Sequence, residues 1–324
     1  MTPRVSVVMP VRNGAAFLRP AMASILRQTC GSFEFLIIND ASTDNSLEII
    51  GEFEDNRISI IHNSAQQGIA RSRNRGAEAA RGEYVAIMDQ DDVSAPGRLE
   101  AEADYLDRHR EVAAVGSWVQ VINEADEVIE EWRRECEPAE IRDALIRDRC
   151  VMANSSVLIR KAALREAGGL RRIPIVDDYD LWLRMTDTRA CLANVPAFLL
   201  QYRRHGGQTC QRNSEALGFW FFAVQFAARR RREGRSDPLD GLLKFDLEEM
   251  TPRLMAGRGS IGQAWAVRRH WLRGMKAWDR GRRAAALPDL LWTVARCPGY
   301  APFWARVHQL VRRVSKHQER PAGV

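Results

Sequence analysis

Long apolar runs are missing from this 324-residue chain, and nothing approaches the roughly 18 uncharged apolar residues that a membrane-spanning helix requires. The short apolar run that begins at Val5 stops at Pro10 with no small-residue cleavage site, so no signal peptide is expected. Cysteine is scarce. The six residues (Cys30, Cys136, Cys150, Cys191, Cys210 and Cys297) form no C-x-x-C pair, and no His stands at zinc-finger spacing. That speaks against a disulfide scaffold and for reduced thiols in the cytoplasm. No strand-like run is followed by G-x-G-x-x-G, and G-x-x-x-x-G-K-[ST] does not occur, so neither a dinucleotide fold nor a P-loop is expected. Internal repeats and low-complexity tracts are absent as well. With 45% apolar and 28% charged residues the composition is globular rather than disordered, and the length suffices to bury a core without covalent staples.

What the chain does carry is unevenly distributed. Residues 215–324 hold 21 Lys/Arg against 10 Asp/Glu, whereas residues 1–214 hold 27 against 32. An acidic N-terminal unit thus precedes a basic one, and the basic part favours an anionic partner surface.

Apolar runs at Val5–Met9, Phe33–Ile38, Ile58–His62 and Tyr84–Met88 read as strands. Helical patterns lie between them, over 15–29, from a Ser42 or Thr43 cap to Phe53, and over 68–81. This alternation predicts an α/β domain with a largely parallel sheet. Polar clusters at Arg12-Asn13, Asn39-Asp40 and Asp89–Asp92 follow three of the strands, and ligands bind beyond the carboxyl ends of such strands. Farther on, strand-like runs at 112–122 and 151–159 alternate with helices at 138–147, 161–167 and 178–186. From about 215 onward everything reads as helix or turn.

Asp89, Asp91 and Asp92 gather three like charges at a strand end. A cation would offset their repulsion, and hard oxygen ligands suit Mg2+ or Mn2+ bridging substrate phosphates. The bland alternative is a turn that caps the next helix. The ordered segments Val7-Val8-Met9-Pro10-Val11-Arg12-Asn13, Ile38-Asn39-Asp40-Ala41-Ser42-Thr43-Asp44 and Gly82–Asp92 closely resemble glycosyltransferase family 2. So do the spacing Asp92-x-x-x-Pro96-x-Arg98-Leu99, Asn154-Ser155-Ser156 before Gly168-Gly169, and Asp177-Asp178-Tyr179-Asp180-Leu181-Trp182-Leu183-Arg184. The resemblance spans roughly residues 4–210.

The resemblance implies a GT-A fold that binds a nucleotide-diphospho-sugar and inverts the anomeric centre. By position, Pro10, Val11 and Asn13 would line the nucleoside pocket and Asp40 would accept a hydrogen bond from the base, most often uracil. Asp91 would be the principal metal ligand, and Asp89 would reach the ribose or a metal-bound water. Asp178 would be the catalytic base, Arg71 and Arg73 would stand near the diphosphate, and His205 would be a further metal ligand or phosphate contact. Two positions depart from the family pattern. Arg12 replaces a common aromatic, and Asp177 replaces the more usual Glu before the base.

The expected organisation is a catalytic domain over 1–214, with a nucleotide-sugar half over about 1–110 and an acceptor half over about 111–214, followed by a basic helical region over 215–324. In the latter, the apolar run 217–226 leads into Arg229–Arg232. Such a helix either lies in a bilayer interface with Arg at headgroup level or packs on the catalytic domain. Trp265, Trp271, Trp278, Trp292 and Trp304 suggest the core of a small bundle. The expected activity is metal-dependent transfer from a nucleotide-diphospho-sugar, UDP-linked by preference, to a glycan or lipid-linked acceptor in cell-surface polysaccharide synthesis. It would take place in the cytoplasm, with an anionic membrane as an optional partner and nucleic acid as none. The alternatives are an inactive nucleotide-sugar or glycan binding protein and, more remotely, a sugar nucleotidyltransferase.

Overall fold

The computed structural model describes residues 2–147, 149–188, 190–208, 214–240, 242–243, 247–255, 259–280 and 282–296. Cys210, Cys297, Trp304 and the tail expected to fray from Ser315 lie outside them.

Strands β1 (Val5–Val11) and β2 (Phe33–Asn39) are buried at every position, as unbroken apolar runs in a covered parallel sheet must be. With β3 (Ile58–His62) and β4 (Tyr84–Ile87) they form a parallel block in the order β3-β2-β1-β4. β2 and β3 lie on one side of β1 and β4 on the other, so the strand order reverses between β1 and β4, the switch point beyond whose carboxyl ends the crevice of such sheets lies. Helices α1 (Ala15–Leu26), α2 (Ser46–Gly51) and α3 (Ile69–Ala79) connect these strands. Gly76 lets α3 settle onto β1; a Cβ there would stand 2.3 Å from Val8 Cγ1. α2 starts later than Ser42 or Thr43. The Asp44 carboxylate accepts the N–H groups of both Ser46 and Ala15 at 3.1 Å, capping the starts of α2 and α1 together.

The sheet continues as β4-β8-β6-β9-β5 and turns mixed. β8 (Leu158–Arg160) is antiparallel to β4 and to β6 (Val112–Ile122). β6 is parallel to β9 (Cys191–Arg203), and β9 is antiparallel to β5 (Val93–Ser94). β7 (Val128–Trp132) folds back on β6. The strand expected over 151–159 is instead a 3-10 turn, Asn154–Ser156, followed by β8. Ser156 turns the chain by donating both its N–H (2.9 Å) and its hydroxyl (2.8 Å) to the Ala153 carbonyl. Helices α4 (Arg98–Arg108), α5 (Pro138–Ile146), α6 (Lys161–Glu166) and α7 (Asp177–Asp187) complete this half.

The chain divides into two compact units at Leu247/Glu248 rather than at 214/215. Helix α8 (Ser214–Arg232) therefore belongs to the first unit. Phe219 and Trp220 are fully buried in it, and Phe221 stacks on Tyr179. Arg231 and Arg232 both donate to Asp187 at 2.8 Å. Of the two readings of this helix, packing on the catalytic unit is the one seen: Phe219 and Trp220 face inward, and Arg231 and Arg232 are held by a carboxylate. No described helix is long and apolar enough to cross a membrane. Beyond α9 (Leu247–Met255), α10 (Gly259–Asp279) and α11 (Arg283–Arg296) pack as a helical pair. Trp265 and Trp271 are buried there as bundle positions, while Trp292 stacks on His270 at 3.9 Å.

Candidate active site

The loops after β1 and β2 are knitted together at the crevice. Asn13 adopts the left-handed region (φ +48°), which Asn tolerates, and its side-chain oxygen accepts the Thr43 N–H at 2.8 Å. Arg12 Nη1 donates to the carbonyls of Asp40 (2.7 Å) and Ala41 (3.0 Å), so the guanidinium that replaces the family aromatic is pinned over the β2 loop. Gln90 grips the Arg12 peptide from the other side, accepting its N–H at 2.9 Å and donating to its carbonyl at 3.1 Å. Gly14 is required for this grip, because a Cβ there would stand 2.3 Å from the Gln90 amide oxygen. Pro10 and Val11 are buried strand residues just below. Asp40 is buried and accepts three hydrogen bonds: Asn63 Nδ2 (2.7 Å), Gln67 N–H (2.7 Å) and Gly68 N–H (2.9 Å). Its carboxylate thus fastens the loop that opens α3, a task the base-contact expectation did not include. Arg71 is exposed on that helix and bonds Gln67 Oε1 at 2.7 Å.

At the end of β4 the three carboxylates take different partners. Asp89 accepts Arg73 Nη2 at 2.6 Å. Asp91 meets His205 Nε2 at 2.9 Å. Asp92, fully buried, accepts the Arg203 N–H at 2.9 Å. Arg203 also donates to the Asp91 carbonyl (3.0 Å) and lies over the Phe17 ring, which itself packs on His205 at 4.7 Å. Beneath, buried Arg98 donates to the Ser155 carbonyl and fixes the Asn154–Ser156 turn against the strand end. Burial, together with the neighbouring Asp89, holds the Asp91 carboxyl above its ordinary range; burial and both neighbours do the same to Asp92 more strongly. Three carboxylates thus stand against the Arg73 guanidinium and His205, an excess of acidic groups in a largely buried place.

A divalent cation fits that excess. Asp91 and His205, from distant parts of the chain, present one oxygen and one nitrogen at a single point. Among the described residues no group of three or more His, Cys, Asp or Glu side chains is arranged to hold a metal. Asp91 is the hard oxygen ligand that Mg2+ or Mn2+ calls for, and His205 would add one nitrogen, with phosphate and water supplying the rest.

Arg73 links this cluster to the start of α7. Only 4% exposed, it reaches Asp89 with one nitrogen and Asp177 with another at 2.9 Å. The Asn154 amide oxygen, turned toward it, accepts at 2.8 Å. Burial disfavours the Arg73 charge, but the Asp89 and Asp177 carboxylates outweigh it and hold the group more firmly protonated. The sequence-based placement near the diphosphate thus becomes a buried bridge. Asp180 is fully buried, bonded to Arg184 Nε at 2.8 Å and paired with Arg171 at 3.3 Å, which removes it as a proton acceptor. Asp178 differs from its neighbours. It accepts only the N–H of Tyr179, at 2.7 Å, among the described residues, and burial with the adjacent Asp177 pushes its carboxyl up to about 7. A half-buried carboxyl poised near neutrality and held by no cation is suited to take a proton.

The structure brings Asp89, Asp91 and His205 together at the end of β4 and links them through Arg73 to Asp177 beside Asp178, while Gln90, Phe17 and Arg203, which sequence reasoning did not single out, stand among them. Gln90 was legible as the residue between two ligand-type Asp residues, and Arg203 as the neighbour of His205. Nothing local marked Phe17.

The family described as Glycosyl transferase family 2 matches residues 6–168. An uncharacterized glycosyltransferase of Haemophilus influenzae is 31% identical over 219 residues, covering 64% of this chain and 67% of that protein. An uncharacterized glycosyltransferase of Methanocaldococcus jannaschii is 32% identical over 212 residues, covering 62% and 71%. Among solved structures, S. aureus TarS 1-349 in complex with UDP-GlcNAc aligns with a TM-score of 0.57 at 17% identity, over 92% of this chain and 93% of that one. The mannosyltransferase PcManGT from Pyrobaculum calidifontis, in complex with GDP-Man and Mn2+, aligns with a TM-score of 0.57 at 16% identity, over 99% and 82%. At such identities the likeness is one of fold, and that fold is the GT-A type.

Proposed function

The chain belongs to glycosyl transferase family 2, and from that premise we propose that it transfers a sugar, with inversion, from a nucleoside-diphospho-sugar to a hydroxyl of a glycan or lipid-linked acceptor. The observation that carries this reading is the Arg73 bridge, which joins Asp89 in the strand-end cluster to Asp177 beside Asp178. Donor loop and proton acceptor are thereby built into one network.

Asn13 and the Arg12-capped loop line the nucleoside pocket over a floor of buried Pro10 and Val11, and Asp40 keeps the Gln67-Gly68 edge of that pocket in place. Relatives of the same fold bind UDP-GlcNAc and GDP-Man, and a UDP-sugar is the favoured donor here. Asp91 and His205 would hold Mg2+ or Mn2+, which supplies positive charge for the departing diphosphate. Asp178 removes the acceptor proton, and Arg73 keeps the adjacent Asp177 charge from raising Asp178 further. The setting is the cytoplasm and the product a cell-surface polysaccharide; attachment to a membrane through α8 is not part of this reading.

The test is a panel of UDP- and GDP-sugars, with and without Mn2+, read by thermal stabilisation and by product formation on glycan acceptors. A bound donor at a hundredfold excess over its Kd adds about 2.7 kcal/mol of apparent stability. Stabilisation without transfer to any acceptor would favour the inactive binding protein, and full turnover in EDTA would remove the metal.

A further inference from the structure

Helix α8 lies beyond residue 168, where the family match ends, yet it grips the turn that carries Asp178. Phe221 stacks face to face on Tyr179, with centroids 4.3 Å apart and planes 6° from parallel. The Tyr179 hydroxyl donates to the Leu145 carbonyl at 2.9 Å, and Gln225 Nε2 donates to the same oxygen at 2.9 Å. At the far end of α7, Arg231 and Arg232 hold Asp187. Arg231 also shares Asp237 with Arg171, which pairs with Asp180.

Every neighbour of Asp178 is consequently fixed. Asp177 is tied to Arg73, Tyr179 to Phe221 and Leu145, and Asp180 to Arg184. Asp178 alone has no cation or side-chain donor among the described residues. A carboxylate that must accept a proton from substrate loses that capacity if a strong donor anchors it, so its position has to come from the residues around it.

We propose that α8 is a brace for the proton-accepting carboxylate, with Phe221 and Gln225 as positioning residues that act on Asp178 through Tyr179 and Leu145. This rests on the reading of Asp178 as base. Phe221 is the informative position because it is half-buried, whereas Phe219 and Trp220 sit fully inside the core. The charges that act most on Asp178 are Asp177, Arg73 and Asp89, and Asp178 in turn acts on the Cys150 thiol. None of these lies on α8. Removing the Phe221 ring changes the position and burial of Asp178 without adding or deleting a charge.

Steady-state kinetics of the full chain test this. Phe221→Ala should lower kcat by about 10- to 100-fold, the scale of a small misplacement of a reacting group, with donor KM within about twofold of wild type. The acid limb of the kcat pH profile should move to lower pH as water reaches the carboxyl, and Phe221→Tyr should restore both readings. Wild-type kcat and pH limb in Phe221→Ala would overturn the brace. So would a kcat loss that merely tracks the folded fraction while the limb stays put. Should Phe221→Ala fail to fold, Phe221→Leu and Gln225→Leu carry the same readings. Asp178→Asn separates the two ideas: near-normal turnover there removes the base and the brace together. An inactive Asp178→Asn beside a normal Phe221→Ala overturns the brace alone.

Discussion

The acidic cluster at the end of β4 and the one at the start of α7 hold three carboxylates each, and each draws partners from both near and far in the chain. Asp89, Asp91 and Asp92 are met by Arg73, His205 and the Arg203 N–H, the last two more than 100 residues away. On α7, Asp180 is met by Arg184 one turn later, and Asp177 by the same Arg73 that serves Asp89. One guanidinium shared between two clusters cannot neutralise both. At the strand end burial, then the neighbouring carboxylates, lift Asp91 and Asp92; at the helix start burial, then Asp177, lifts Asp178 to about 7. The two clusters differ in what stands beside one of their carboxylates: His205 beside Asp91, and no bonded cation or side-chain donor beside Asp178 among the described residues.

The largest effect that would sharpen this contrast is at Asp178. Asp178→Asn should cut kcat by about 10²- to 10⁴-fold with donor affinity nearly unchanged, as measured by turnover alongside nucleotide-sugar titration. The working form is the carboxylate, so wild-type kcat should fall as pH drops below about 7 and level off above it. The linkage has the opposite sign. A raised folded-state pKa means that Asp178 weakens the fold as pH climbs from the ordinary carboxylate range to about 7, so Asp178→Asn should gain Tm over wild type at pH 8 and little at pH 4. An Asp178→Asn protein with ordinary turnover would break the contrast.

Next comes Asp180, the buried and fully paired member of the same cluster. Asp180→Ala strands Arg184 and Arg171 and should cost about 3–5 kcal/mol of stability, read by denaturant unfolding, with a smaller loss of turnover per folded molecule than Asp178→Asn. A catalytic defect without loss of stability would mean that the pairing pattern does not sort structural from chemical carboxylates.

The smallest effect is at Arg231, whose partners are Asp187 and Asp237. Arg231→Gln should lower stability by roughly 2 kcal/mol, the scale of a charge-assisted hydrogen bond. Wild type and variant should both stay in the supernatant with anionic vesicles at low salt. Salt-sensitive sedimentation of the wild type alone would return α8 to the membrane.

The parallel half of the fold was legible because its signals are local. Val5–Val11 and Phe33–Asn39 are continuous apolar runs, and the helices between them repeat apolar residues at helical spacing. The mixed half was less so. β5 is two residues long, and Asn154–Ser156 turns because of hydrogen bonds to Ala153 that a Val-rich flank conceals. Asp40 read as a ligand contact, although three donors from the β3–α3 segment saturate most of its carboxylate.

By itself the sequence determined which residue types stand at the carboxyl ends of the strands and at the start of α7, since strand and helix periods are set by neighbours a few positions away. Only the tertiary structure decided which carboxylate stays uncommitted, that Arg73 spans 104 residues to Asp177, that His205 lies beside Asp91, and that the aromatic face of α8 turns inward onto Tyr179. Burial and charge pairing are through-space quantities. Their values depend on which distant segments the fold brings within about 4 Å, and no local spacing encodes that.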